Sequence, residues 1–231
     1  MEDAADRRAA FLFDMDGTLA DTMPFHLQAW VELVNELGVE MEPATFLRRT
    51  GGKMNRQILG EVFGLPMSDA DLALFEERKE SLFRTLCGPH LKPIAGLTEV
   101  LAESRRLGIA MPVATAAGKA DRDFVLDGLD IARSFDAVIG AEDVRNGKSH
   151  PEVFLKVAGA LRVDPSRCVV FEDAISGFEA ADRAGMKVVG LATTLPAREL
   201  QGHAAVNCTG RDYGQLQPQA LVDALRLRDT T

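Results

Sequence analysis

The feature that most constrains this chain is a short apolar run that leads directly into two carboxylates. The run Phe11-Leu12-Phe13 is followed by Asp14, Asp16 and Gly17. A continuous apolar run that ends at a turn signal is typical of a buried strand in a parallel sheet. Gly17 allows the chain to leave the strand with backbone angles that other residues avoid. We therefore expect both carboxylates at the carboxyl end of a central strand, where open α/β sheets bind their ligands.

The two carboxylates form a candidate site because of their spacing. Residues two apart on a strand share a face, so Asp14 and Asp16 would point into one small volume. They repel each other there unless one takes up a proton or a cation binds. An EF-hand calcium loop is excluded because its twelfth position, counted from Asp14, is Phe25 and not a glutamate. A solvated turn is the alternative on these residues alone.

The composition argues against several classes of protein. The chain has 231 residues, 46% of them hydrophobic, and a formal net charge of −9. An acidic chain without a stripe of lysine and arginine is not typical of a nucleic-acid-binding protein. No apolar run reaches the ~20 residues of a membrane helix, and the charged start of the chain does not resemble an export signal. Three scattered cysteines, Cys87, Cys168 and Cys208, indicate a reducing cytoplasm and lack metal-ligand spacing.

The residues after the first strand show helical periodicity and no convincing strand pattern. Apolar residues recur at helical spacing in three stretches, 24–37, 55–63 and 68–86. From residue 94 onward, apolar strands alternate with helices. Strands are predicted at 109–114, 135–139, 168–171 and 187–191, with an edge strand at 204–206. The pattern predicts an α/β fold with a doubly wound, Rossmann-like parallel sheet and a helical insert after the first strand.

Polar residues follow other predicted strands at the edge where the first two carboxylates lie. Thr115 and Ala116 stand at one strand tip, Lys148 in a nearby loop, and Glu172 and Asp173 at another tip. Because parallel strands share their carboxyl edge, we expect these residues to converge with Asp14 and Asp16. Taken singly, each could be a helix cap, a solvated loop residue or a charged strand exit. Their joint occurrence on successive strands indicates a site.

These groups suit phosphoryl transfer. Hard oxygen ligands without cysteine or histidine favour Mg²⁺, which would neutralise the carboxylates and attract a phosphate. Asp14 can attack phosphorus as a covalent nucleophile, and Asp16 can act as the general acid and base. Lys148, together with the Thr115 hydroxyl and the amides near it, can hold the equatorial phosphate oxygens.

The motif Asp14-Met15-Asp16-Gly17-Thr18, followed in order by Thr115, Lys148 and Glu172-Asp173, resembles the haloacid dehalogenase superfamily. The resemblance covers the chain from about Phe11 to Leu195. It implies an aspartyl nucleophile at Asp14 and an acid/base at Asp16. It also implies Mg²⁺ held by Asp14, the backbone carbonyl of Asp16 and Asp173, with support from Glu172. True haloacid dehalogenases lack the second aspartate, so Asp16 favours phosphate chemistry.

The helical insert resembles the small cap of the β-phosphoglucomutase-like branch. That resemblance implies a cap over residues 22–91 and a catalytic core formed by residues 1–21 and 92–231. It also implies substrate-side roles for a set of residues in or beside the cap: Thr22, His26, Trp30, Gly52, Lys53 and Lys79. A surface position is the alternative for His26. Asn55 stands where the mutases carry an arginine for a second phosphate, and Ser149-His150 replaces the usual Pro-Ala after the motif lysine.

The expected function is a Mg²⁺-dependent phosphatase that acts on a small phosphomonoester, a sugar or polyol phosphate. A hexose-phosphate mutase on the same scaffold is the alternative. A phospho-acceptor signalling domain is a third possibility, but such domains are about half this length and lack a helical insert. We expect a cytoplasmic monomer whose partner is the small-molecule substrate, with no nucleic acid or membrane partner.

Overall fold

Strand β1, Ala10–Phe13, lies at the centre of a six-stranded sheet in which all paired strands are parallel. The structure is a computed structural model that describes residues 9–65 and 67–226. The other strands are β2 (Pro112–Ala114), β3 (Ala137–Ile139), β4 (Cys168–Glu172), β5 (Lys187–Leu191) and β6 (Cys208–Gly210). Their order across the sheet is β3-β2-β1-β4-β5-β6. The predicted doubly wound α/β fold is confirmed.

Helices connect the strands and cover both faces of the sheet. Four precede β2 in the helical insert, namely α1 (Met23–Glu36), α2 (Pro43–Thr50), α3 (Asn55–Gln57, continued by a π-helical turn at Ile58–Val62) and α4 (Asp69–Cys87). The remaining helices are α5 (Leu97–Arg106), α6 (Lys119–Gly128), α7 (Glu152–Leu161), α8 (Ile175–Arg183), α9 (Ala197–Gln201) and α10 (Pro218–Arg226). Ser68 caps α4, because its hydroxyl accepts a hydrogen bond from the Asp71 amide.

The alternation of side chains on β1 explains why its sequence is apolar throughout. Phe11 and Phe13 belong to the apolar cluster on one face of the sheet. Ala10 and Leu12 belong to the cluster on the other face. All four residues are fully buried. A strand with core on both sides has no solvent-facing positions, so its first polar residue marks the place where it leaves the sheet.

Helices α1 to α4 pack around an apolar cluster of their own. The members of this cluster are Trp30, Val34, Phe46, Ile58, Leu59 and Leu72. The chain enters and leaves this segment side by side, because the Ile94 amide donates to the Leu19 carbonyl oxygen at 2.9 Å. Helices of the insert also contact the core, and the division at residues 22 and 91 stays a prediction.

Several predicted boundaries differ from the structure. The edge strand predicted at 204–206 is wrong, because these residues form a turn in which the Val206 amide donates to the His203 carbonyl oxygen. The edge strand is β6, which pairs with β5 after that turn. Strand β2 begins three residues later than predicted, at Pro112. Within the described ranges, no helix has the length and apolar character needed to cross a membrane.

Candidate active site

Asp14 follows directly after β1 and is tied to the neighbouring strand β4. Its amide donates to the Phe171 carbonyl oxygen at 3.0 Å, which places its carboxylate at the carboxyl edge of the sheet. The chain then turns at Gly17, whose φ is +77°. A Cβ atom there would lie 2.1 Å from Asp173 Oδ2. Gly17 is therefore required both by the turn and by its close approach to the loop after β4.

Lys148 joins the carboxylates of β1 and β4 although it lies in a loop between β3 and α7. Its Nζ donates to Asp14 Oδ1 and to Glu172 Oε1, each at 2.6 Å. All three side chains are buried. Charge-assisted bonds of this length are among the strongest hydrogen bonds in proteins, and they fix the nucleophile candidate against the sheet edge.

Glu172 also orders the loop that carries Asp173. Its Oε2 accepts hydrogen bonds from the amides of Asp173 and Ala174, at 2.8 and 2.9 Å. The first turn of α8 leaves room for this carboxylate only because it contains Gly177, where a Cβ atom would lie 1.9 Å from Glu172 Oε1. One oxygen of Glu172 thus accepts a hydrogen bond from Lys148, and the other accepts hydrogen bonds from the loop amides.

The electrostatics of this cluster are unbalanced, because three buried carboxylates share one ammonium group. Burial raises the pKa of Asp14 to about 7; Lys148 opposes the rise and the charge of Glu172 adds to it. Burial and the charges of Glu172 and Asp14 raise the pKa of Asp173 well above its usual value. Burial opposes the charge of Lys148, but Asp14 and Glu172 outweigh it and raise its pKa. The cluster lacks positive charge.

The cluster fits a divalent cation by its own chemistry. One carboxylate oxygen each of Asp14, Glu172 and Asp173 lies within 4.8 Å of the other two. Asp173 Oδ2 is buried and has no hydrogen-bond partner among the described residues. An orphaned carboxylate oxygen in a site made only of oxygen donors fits Mg²⁺. The Asp16 side chain does not join this cluster. Ligation of the ion by the backbone carbonyl of Asp16 stays a prediction.

Asp16 points instead toward the start of α1. Its Oδ1 accepts a hydrogen bond from the Thr22 hydroxyl at 2.7 Å and lies 3.2 Å from His26 Nε2. Burial opposes ionisation of Asp16, but His26, Thr22 and Lys79 outweigh it and lower its pKa. The two aspartates of the motif therefore have opposite environments: in the metal-free protein that of Asp14 favours the protonated carboxyl and that of Asp16 the ionised one, the reverse of what a nucleophile and a general acid need.

Thr115 lies at the tip of β2. Because β1 lies between β2 and β4, Thr115 is on one side of Asp14 and β4 is on the other. Its side chain is buried, and its hydroxyl accepts a hydrogen bond from the Ala117 amide at 3.1 Å. All predicted site residues except Thr22 and Glu172 line one cleft of about 1090 Å³ between the sheet edge and the helical insert. The structure thus brings the predicted phosphate-binding residues Thr115, Ala116 and Lys148 to the same cleft as Asp14 and Asp16.

His26 is a cleft residue, and the alternative surface position is wrong. Its ring stacks on Phe83 with 3.7 Å between ring centroids, and 13% of its side chain is exposed. Lys79 Nζ lies 2.7 Å from His26 Nδ1 and donates to both oxygens of Glu80. These contacts connect α4 of the insert with Asp16 of the core.

The other predicted residues of the insert make contacts within the protein that are part of its packing or its ion pairs. Trp30 is 2% exposed and packs against Phe46, Phe63 and Phe75, so most of its ring belongs to the core of the insert. Lys53 lines the cleft but its ammonium is paired with Glu61 at 2.5 Å. Gly52 lies over the core, with Lys148 and Ser176 as its neighbours.

Sequence reasoning missed two residues that support the turn after β1. The Thr193 hydroxyl donates to the Gly17 carbonyl oxygen. The buried Tyr213 hydroxyl donates to the Thr18 carbonyl oxygen at 3.3 Å. Thr193 follows β5 at the same sheet edge, so the pattern that identified Thr115 could also have identified it. Tyr213 lies far from every motif, and no signal in the sequence points to it.

Comparisons with known proteins agree with this geometry. Residues 11–191 match the family model described as "Haloacid dehalogenase-like hydrolase". The chain is 33% identical over 184 residues to fructose-1-phosphate phosphatase YqaB of Escherichia coli K12, covering 80% of this chain and 96% of that protein. It is 32% identical over 186 residues to the phosphorylated carbohydrates phosphatase of Thermotoga maritima, covering 77% and 82%.

Among solved structures, the chain resembles the β-phosphoglucomutase of Clostridium difficile. The TM-score is 0.83 at 25% identity, covering 97% of this chain and 100% of that one. The sequence relatives are named phosphatases and this structural neighbour is named a mutase. The comparisons therefore agree on the family and on the fold, and they make a phosphatase and a mutase the two candidate activities for this chain.

Proposed function

The chain belongs to the haloacid dehalogenase-like hydrolase family, and from that premise we propose that it is a Mg²⁺-dependent phosphatase for a small sugar or polyol phosphate. The observation that carries the proposal is the meeting of Asp14 and Lys148, 134 residues apart, in a buried contact of 2.6 Å at the cleft. An enzyme that transfers a phosphoryl group needs a nucleophile and a cation for the phosphate at one point.

In the first half of the reaction, a carboxylate oxygen of Asp14 attacks phosphorus and the bond to the ester oxygen breaks. Asp16 donates its proton to the departing oxygen, so that an alcohol leaves and an aspartyl phosphate forms. A phosphate dianion bound beside Asp16 opposes the effect of His26 and Lys79 on its pKa, because a like charge disfavours ionisation. Lys148 and the backbone amides near Thr115 hold the equatorial oxygens.

In the second half, Asp16 takes a proton from a water molecule, which attacks phosphorus of the aspartyl phosphate. The bond to Asp14 breaks, inorganic phosphate forms and the nucleophile is restored. Asp14 and Asp173, with the backbone carbonyl of Asp16, would hold Mg²⁺, and Glu172 would support them. The ion would neutralise the excess negative charge of the cluster and of the phosphate.

We propose further that residues 22–91 act as a cap that excludes bulk water during transfer. This is supported by the separate apolar cluster of the insert and by the adjacent chain crossings near Thr22 and Pro93. Closure over the leaving group would favour attack by Asp14 over direct hydrolysis. A cytoplasmic location accords with the free thiols of Cys87, Cys168 and Cys208.

The second candidate is a hexose-phosphate mutase, which the solved structural neighbour favours. Asn55 argues against it, because its side chain donates to Glu80 where a mutase carries an arginine for the second phosphate. Incubation with β-glucose 1-phosphate and a trace of the 1,6-bisphosphate separates the two candidates. A phosphatase releases inorganic phosphate, whereas a mutase forms glucose 6-phosphate.

The proposal is tested by measuring phosphate release from a panel of phosphorylated metabolites, with Mg²⁺ and after removal of divalent ions by a chelator. We expect release from one or more sugar or polyol monophosphates that stops in the chelator and returns when Mg²⁺ is added. Turnover that survives complete chelation would contradict the assignment of the carboxylate cluster. Absence of release from every ester in the panel would contradict phosphatase activity.

A further inference from the structure

The cations that the helical insert contributes to the cleft are already paired. Among the described residues of 22–91, the cationic side chains that line the cleft are Lys53, Arg56, Lys79 and Arg84. Each lies 3.0 Å or less from a carboxylate oxygen, in the pairs Lys53–Glu61, Arg56–Asp69, Lys79–Glu80 and Arg84–Asp121. A second phosphate entering this side of the cleft would therefore meet cations whose charge is already neutralised by a carboxylate.

The pair of Lys79 and Glu80 is the one that lies next to the reacting groups. Lys79 is buried and 18% of the Glu80 side chain is exposed. Glu80 Oε1 accepts hydrogen bonds from Asn55 Nδ2 and Lys79 Nζ, at 2.7 and 3.1 Å. Its Oε2 accepts from Lys79 Nζ at 3.0 Å. A carboxylate has about four acceptor positions, so on these contacts one position on Oε2 is left for a further donor.

A second carboxylate near Glu80 is also paired with a cation. Asp121, in the first turn of α6, accepts a hydrogen bond from Arg84 Nη1 at 2.6 Å. Burial and the charge of Glu80 raise the pKa of Asp121 to about 6, and Arg84 opposes the rise. On this side of the cleft the carboxylates therefore already neutralise the cations, and Glu80 keeps an acceptor position that suits a hydroxyl group.

We propose that Glu80 is a specificity-determining residue that selects monoesters of uncharged polyols and rejects esters with a second phosphate. A hydroxyl group of the leaving alcohol donates to Glu80 Oε2, while a phosphate at the same place meets a carboxylate that already neutralises Lys79. Specificity of this kind uses a repulsive element against the wrong ligand as well as a contact with the right one. This inference rests on the proposed phosphatase function and adds the class of leaving group.

Matched substrate pairs test the inference. Fructose 1-phosphate and fructose 1,6-bisphosphate differ by one phosphate, as do glucose 1-phosphate and its 1,6-bisphosphate. Each is measured as a substrate and as a competitive inhibitor of p-nitrophenyl phosphate hydrolysis. In at least one pair, we expect the wild-type enzyme to bind the monophosphate about tenfold more tightly than the bisphosphate. Glu80→Gln should remove most of that preference, because it frees Lys79 and removes the charge.

Two further variants make the test specific. Glu80→Asp keeps the charge and should retain rejection of the bisphosphate even where packing changes weaken binding of both compounds. Asp123→Asn removes a charge from the same helix as Asp121 at a side chain that is 53% exposed, and should leave the preference unchanged. Hydrolysis of p-nitrophenyl phosphate and a thermal melt report that each variant is folded and chemically competent.

The outcomes separate this inference from the proposed function. If the wild-type enzyme shows no preference for the monophosphate in either pair, or if Glu80→Gln keeps the wild-type ratio, Glu80 does not select the leaving group. Either result leaves phosphatase activity intact. Absence of phosphate release from p-nitrophenyl phosphate and from all four sugar phosphates overturns the proposed function itself, and the inference falls with it.

Discussion

The two sides of the cleft both contain a buried lysine, but they differ in the balance of charge around it. At the sheet edge, Lys148 is shared by Asp14 and Glu172, and Asp173 adds a third carboxylate. On the helical insert, Lys79 is neutralised by Glu80, and the other cleft cations described there each have a carboxylate partner. One side therefore has a carboxylate cluster that lacks a cation, whereas on the other side each of these cations already has a carboxylate partner.

This difference indicates that the two sides of the cleft have different roles. A buried cluster with excess negative charge is unfavourable until a cation binds, and that cation in turn attracts a phosphate. The ion pairs of the insert side are stable without a ligand. We therefore expect them to determine which leaving group fits the cleft. Variants on the sheet-edge side should change turnover of every ester, whereas variants on the insert side should change the ranking of esters.

The largest effect is expected from Asp14→Asn. An amide cannot attack phosphorus, so turnover should fall by about 10⁴-fold or more on every substrate. The variant should keep the far-ultraviolet circular dichroism of the wild type, because its side chain has nearly the same shape. Phosphate release by the purified variant is the measurement. Retention of more than a few per cent of the wild-type rate would mean that Asp14 is not the nucleophile.

The next effect is expected from Lys148→Met. The substitution leaves three buried carboxylates without their shared cation, and removes a donor to the phosphate oxygens. We expect kcat to fall by about 10²–10³-fold on all esters and the melting temperature to fall as well. Lys156→Met, on the exposed surface of α7, is the matched control. Equal kinetics of the Lys148 variant and this control would show that the sheet-edge lysine has no role in transfer.

Lys79→Met should have a smaller and selective effect. The substitution leaves Glu80 with Asn55 as its remaining partner but does not touch Asp14 or Asp173. We expect kcat/KM for sugar phosphates to fall by about tenfold more than kcat/KM for p-nitrophenyl phosphate, whose leaving group makes fewer polar contacts. Kinetic measurements on both esters decide this point. Equal losses on the two esters would contradict the proposed difference between the two sides.

The smallest effect is a dependence of stability on pH in the metal-free protein. Since burial raises the pKa of Asp14 to about 7, the folded state keeps a proton between about pH 4 and pH 7 that the unfolded state releases. The free energy of unfolding should therefore fall as the pH rises through this range. Asp14→Asn should raise the melting temperature by a few degrees at pH 8 and by less at pH 5. A difference that is the same at both values would argue against a charge deficit.

The sheet-edge side was predictable from sequence because its signals are local. Each of its polar residues follows an apolar strand, and the carboxyl edge of a parallel sheet is fixed by the fold. Asp14, Thr115 and Asp173 meet at the cleft as expected, and Lys148 joins them from its loop. The strand at 204–206 was misplaced because two alanines and a valine fit a turn as well as an edge strand.

The insert side was less predictable because ion pairs between helices leave no pattern in a sequence. Lys79 and Glu80 are adjacent and ordinary in a charged helix, and their burial depends on how α4 lies against α1. Arg84 and Asp121 pair between the insert and the core across 37 residues. Trp30 lines the cleft, and its packing within an aromatic cluster depends on tertiary contacts; its role at the substrate stays a prediction.

The most direct test of Asp14 as the nucleophile is the identity of the residue that becomes phosphorylated. In an Asp16→Asn variant, p-nitrophenolate can still leave without a proton, but the water that would attack the intermediate lacks its base. We expect a burst of one p-nitrophenolate per enzyme, with one phosphoryl group on the peptide that contains Asp14. Mass spectrometry of the acid-quenched protein locates the group. A phosphoryl group on any other residue, or a burst without a phosphorylated peptide, would mean that Asp14 is not the nucleophile.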